Sequence, residues 1–217
     1  MDNYISSGEY GQAMEIMNRI PRSFSLYSEI LLRKGVSLNE LQRFGEAEKV
    51  FDECLAIENR WQCLYNRSFS RSRQGKLWDS LEDLRRAYGI SGEIDVLYEE
   101  AIGEKNLGLL DEALEHCEEY YFHTGDEKAL FLLVRILDML GRYEEALKYL
   151  EKGDRSELKN TVLFHRSLEK GEALTGLVFD SPIAQATYLS TLASIDESTF
   201  SREAGGLVTQ GRLDIGL

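Results

Sequence analysis

One spacing dominates this chain and leaves few folds open to it. Ala13, Ala47, Ser80, Ala113 and Ala146 follow one another at steps of 34, 33, 33 and 33. Three positions before each stands a large residue: Tyr10, Phe44, Leu77, Leu110 and Tyr143. Four positions after stand Met17, Phe51, Leu84, Cys117 and Leu150. Leu31, Leu64, Leu97 and Leu130 precede the small residue by sixteen, and Leu163 continues the step. The strings themselves are copies: GRYEEAL at 141–147, GLLDEAL at 108–114 and, more loosely, GKLWDSL at 75–81. A fixed period of this length marks a repeat unit that cannot bury its apolar face alone and must stack on its neighbours.

Each copy reads as two helical patterns separated by a short turn, with almost no strand signal anywhere. In the fifth copy the first helix is expected over 127–140 and the second over 143–152. Gly141 suits the turn between them, because glycine tolerates the positive φ that follows a helix end. Glu144 and Glu145, like Asp111 and Glu112 one copy earlier, fall in a first helical turn, where the helix dipole favours negative charge. Ser91-Gly92, Thr124-Gly125 and Gly153 are expected helix stops. Copy two has Gln42 where the others have the turn glycine. Val134 fills the small slot of copy five. Copy one has little room for its first helix.

These elements resemble the tetratricopeptide repeat family. The resemblance rests on the period near 34, the leading leucines, the small residue four later (Gly35, Ser68, Ala101) and the Gly-x-aromatic-x-x-Ala turn. It covers residues 8 to 153 and runs on less clearly to about 175. A period of 33 also suits ankyrin repeats, but no T-P-L-H string occurs. The resemblance implies an all-α fold, a right-handed α-solenoid of antiparallel helix pairs. It divides the chain into five repeats over 1–153, the first abbreviated, a sixth-repeat or capping helix over 154–177, and a C-terminal helix with a loose tail over 178–217. Within that tail Pro182 and the Ile183, Ala186, Leu189 stripe predict a helix at 182–195.

The same resemblance implies a concave face lined by first helices, which holds a peptide or a partner helix. Its candidate binding residues here are Tyr65, Phe69, Arg73, Tyr98, Ile102, Lys128, Phe131 and Arg135. Leu32, Tyr65, Tyr98 and Phe131 form a ladder at steps of 33. Such rings serve either as anchors for a partner or as packing against neighbouring helices. The Lys/Asn/Arg clamp with which some family members hold a peptide carboxylate has one match, Asn66. Leu32, Val36, Asp95 and Glu99 occupy its other slots. Arg67 and Arg71 stand 33 residues before Glu100 and Glu104. That offset predicts an ion network between two successive first helices; the alternative is a helix phase shifted by one residue, which leaves these charges solvated.

Composition narrows the partners. The formal net charge is −13, which repels phosphate backbones and anionic lipid, so the expected partner is a protein or peptide rather than nucleic acid or a membrane. Three cysteines without a C-x-x-C spacing suggest a reduced, cytoplasmic chain with buried structural thiols. No basic-then-apolar leader and no 18-residue apolar run are seen. His116 and His123 lie two helical turns apart, too far to share a metal. No nucleotide-binding, nucleophile-elbow or zinc-protease motif occurs. The expectation is a non-catalytic adaptor without cofactor or metal. The alternative is a self-associating scaffold that assembles through its N-terminal repeat or C-terminal helix. That helix either caps the stack or occupies a groove.

Overall fold

The computed structural model describes residues 4–5, 7–151 and 155–170. Ten helices run in order among the described residues: α1 Tyr10–Met17, α2 Tyr27–Glu40, α3 Phe44–Ile57, α4 Trp61–Arg73, α5 Leu77–Ser91, α6 Ile94–Leu107, α7 Leu110–Thr124, α8 Glu127–Met139, α9 Tyr143–Tyr149 and α10 Ser156–Lys170. No described residue lies in a strand. The chain divides into two compact units, Met1–Ala129 and Leu130–Leu217. The predicted helix at 182–195, the tail and Gly153 lie outside the described residues.

In the first unit each helix packs antiparallel on the next, α2 on α3, α4 on α5 and α6 on α7. The register of the sequence is the register of the core. The small residues Ala13, Ala47, Ser80 and Ala113 are buried, as are Met17, Phe51, Leu84 and Cys117 four positions on. Leu31, Leu64 and Leu97 are fully buried. Each such leucine contributes roughly 1.5–3 kcal/mol by leaving water. Two helices can meet this closely because the facing slot is small. At Gly35 it is minimal: an added Cβ would overlap the Phe51 ring, so α2 and α3 touch through backbone and ring.

The turns follow equally local rules. Gly75, Gly108 and Gly141 take positive φ between the two helices of their copies, and Gly92 and Gly125 close α5 and α7 in the left-handed conformation. Gln42 adopts φ +57° at the same slot. The turn geometry thus persists without glycine, at the steric cost of a Cβ in the left-handed region.

The second unit repeats the pattern on a smaller scale. Leu130, Leu133, Val134, Ile136 and Leu137 of α8 are buried, with Ala146 and Leu150 at the α9 slots and Val162 and Leu163 on α10. Helices α9 and α10 pack together. Helix α9 ends at Tyr149 rather than near 152, and α8 at Met139. Shifts of one to three residues are ordinary where helix ends fray.

The cysteines overturn the expectation of a chain without cysteine pairing. Cys54 and Cys63 are disulfide-bonded, with Cα atoms 6.6 Å apart. They are only nine residues apart, and the chain reverses between α3 and α4, so antiparallel packing sets them face to face. Cys117 is free and buried. Burial, then the nearby Glu118 carboxylate, pushes its thiol up to about 12.

Candidate peptide-binding groove

The first helices α2, α4 and α6 stand side by side within the first unit. Their positions one and five after the leading leucine share one face, because residues four apart in a helix lie one above the other. A cavity of about 360 Å³ opens on this face between α2, α4, α5 and α6, and Val36, Tyr65, Phe69, Leu77 and Ile102 give it apolar walls. A second cavity of about 340 Å³, lined by Ile5, Leu32 and Gln62 among others, adjoins it. The two share Val36 and Asn66, so they form one groove.

Phe69 is 50% exposed, and its ring meets Phe44 edge-on at 6.1 Å. The Arg73 guanidinium sits over the Phe44 ring, 5.5 Å from its centroid. Trp61 meets Tyr65 edge-on at 6.5 Å. Tyr98 is half-buried and packs on Tyr120 at 4.9 Å, while the Tyr120 hydroxyl donates toward Asp95 and Asp126. Of the sequence-nominated residues, the structure brings Tyr65, Phe69 and Ile102 together on the groove wall. Arg73 and Tyr98 instead make the ring contacts just described. Lys128 is exposed, and its backbone amide donates to Asp126. Phe131 and Arg135 belong to the second unit, where both are exposed.

The larger cavity is acidic: Glu40 and Glu99 line it, and among the described residues no lysine, arginine or histidine does, while the smaller one is lined by Arg33 and its partner Glu29. Burial alone raises the Glu99 carboxyl above its usual range. Burial, then Glu99 and Asp95, raises the Tyr65 phenol.

The charged pairs behind the groove correct another expectation. Among the described residues, Arg67 and Arg71 do not pair with Glu100 and Glu104. Arg67 holds Asp83 with two parallel bonds of 2.8 and 2.6 Å and reaches Asp52 at 2.6 Å. Arg71 binds Glu48 at 3.0 Å and Asp83 at 2.9 Å. Glu100 and Glu104 are answered by Arg85 at 3.2 and 2.9 Å, and Glu104 by His116 at 2.8 Å. These slots face the layer of second helices, not the neighbouring first helix. The same positions recur with reversed sign. Arg67 between Asp83 and Asp52 becomes, 33 residues on, Glu100 beside His116 and Arg85. The signal is present in the sequence at the second-helix slots, where Asp52 and Arg85, like Asp83 and His116, are 33 apart.

Glu100, Glu104 and His116 bring their ligand atoms within 4.8 Å of one another. Both carboxylates come from α6, twelve and sixteen residues before His116, so no spacing along its own helix reveals them. The Arg85 cation already engages both carboxylates, so the cluster reads as an internal ion network.

The tetratricopeptide repeat model matches residues 28–60 and 127–160. No curated protein matches the chain. Among solved structures, a crystal structure of MamA is similar with a TM-score of 0.64 at 16% identity, over 78% of this chain and 96% of that one. MamA from Desulfovibrio magneticus RS-1 gives 0.64 at 16% identity, over 70% and 87%. An RS-1 MamA double mutant gives 0.65 at 14% identity, over 79% and 93%. At such identities the likeness is one of fold: an all-α solenoid of packed helix pairs. No helix among the described residues is long and apolar enough to cross a membrane.

Proposed function

We propose that this chain, which carries tetratricopeptide repeats, is a non-catalytic protein-interaction module. Its ligand is an extended peptide or helix of a partner protein, seated in the groove between α2, α4 and α6. The observation that carries the reading is the continuity of that groove. Two cavities share Val36 and Asn66 and are walled by aromatic and aliphatic side chains. Phe69 is half-exposed at its mouth although a ring of that size gains most by burial. Contiguous exposed apolar surface of this kind marks interaction sites. Arg73, Tyr98 and Lys128 remain members of the proposed binding face of the first unit, and Phe131 and Arg135 remain proposed binding residues of the second unit by itself.

The test uses the full chain and a random dodecapeptide library displayed on phage. Wild-type protein should enrich binders. The Phe69→Ala and Ile102→Ala variants, with unchanged melting temperature, should bind them at least about tenfold more weakly, the cost of losing an anchor of roughly 1.4 kcal/mol or more. Binding that survives both substitutions overturns the reading. A concentration-independent monomer in light scattering would favour this module over a self-assembling scaffold.

A further inference from the structure

Among the described residues Glu99 has no counter-charge. Every other carboxylate buried about this face is answered: Asp83 by Arg67 and Arg71, Glu100 by Arg85, Glu104 by Arg85 and His116. Glu99 makes no hydrogen bond or ion pair among the described residues, and it stands half-buried on the groove wall. It lines the larger cavity together with Glu40 and with Tyr65, whose phenol feels its charge; no described basic residue lines that cavity, and Arg33 on the adjoining one is paired with Glu29. The nearest aromatic pair continues in the same sense, since the Tyr120 hydroxyl is turned toward Asp95 and Asp126. A carboxylate left without a partner in a partly desolvated position is costly unless something supplies the missing charge.

We infer that the groove recognises a basic segment of a partner protein, with a lysine or arginine side chain entering beside Glu99 and Tyr65 and flanking apolar side chains resting on Phe69 and Ile102. The inference rests on the groove reading above and adds the chemistry of the occupant. The cation would meet a carboxylate on one side and an aromatic face on the other, a combination that strengthens as water is excluded. The whole molecule favours the same sign, since a net charge of −13 draws cationic segments toward it and repels acidic ones. The chain's own C-terminal stretch is a poor rival. From 180 to 217 it contains Arg202 and Arg212 against Asp180, Asp196, Glu197, Glu203 and Asp214, so it is acidic overall.

The phage-display experiment separates this inference from the groove reading. Glu99→Gln keeps the side-chain shape and removes only the charge, so it should fold as the wild type does. Peptides selected on the full wild-type chain should contain lysine and arginine at about three times their library frequency. Those peptides should bind Glu99→Gln about tenfold more weakly, and their affinity for the wild type should fall as salt is raised. If the selected peptides show no basic excess, or bind Glu99→Gln unchanged while Phe69→Ala loses them, the inference fails and the groove reading stands. If binding survives both substitutions, or no peptide is enriched, both fall.

Discussion

Single residues set how closely the helices approach. Gly35 sits mid-helix, where alanine would ordinarily add up to about 1 kcal/mol through helix propensity. Here a Cβ would overlap the fully buried Phe51 ring. Overpacking outweighs propensity, so Gly35→Ala should destabilise the protein by about 1–2 kcal/mol net in urea unfolding. A stability equal to or above wild type would show that α2 and α3 can part without cost. Gln42 makes the converse point. The repeat demands a left-handed residue at the turn, and the backbone adopts φ +57° there although the side chain is not the one best suited to it.

At the scale of helices, the two layers are held by charges as well as by apolar slots. The Arg67 guanidinium binds Asp83 bidentately, and Asp83 is 1% exposed. Removing one member strands the other in low dielectric. Arg67→Met should therefore cost about 3–5 kcal/mol, whereas Arg67→Met combined with Asp83→Leu should recover more than half of that loss. Equilibrium denaturation of the single and double variants measures both. If the double variant is as unstable as the single, the pair is held for reasons other than charge compensation. The reversed copy, Glu100 and Glu104 against Arg85 and His116, fixes the next layer in the same way. Alternating sign disfavours a slip by one repeat, because such a slip would set like charges together.

The whole molecule carries its acid sensitivity in these networks. Burial by itself would raise the Glu48 carboxyl, but Lys76, Arg71 and Gln74 hold it at about 2 against an ordinary value of 4.5. Its folded value lies below its unfolded one, so its contribution is complete above 4.5 and is lost as the pH falls toward 2. Stability measured by chemical denaturation should decline over that window, and Glu48→Gln should flatten the decline while lowering stability at pH 7. An acid slope unchanged by Glu48→Gln would place the effect elsewhere. Glu99 and Glu100 have the opposite sign, each raised by burial first; protonation relieves them, and the net slope is shallower for it.

Much of this was legible in one dimension. The step of 33 and its slots match the packed helix pairs of the described residues, because a stacked repeat places the same demand on the same position in each copy. Tyr65, Phe69 and Ile102 were nominated for the same reason: residues four apart on a first helix share a face, whichever copy they come from. Pairing across layers was not legible. Arg67 and Glu100 look like partners at a distance of one repeat, yet their side chains point to the second helices, and only packing decides which neighbour a slot faces. The Cys54–Cys63 bridge was hidden likewise, since a spacing of nine says nothing until the chain reverses between α3 and α4. Glu99 is the sharpest case. The sequence placed it in a slot where a clamp residue would otherwise stand; the tertiary structure alone determined that no cation among the described residues comes to meet it. Periodicity is a property of the chain, whereas the answering of a charge depends on every element packed around it.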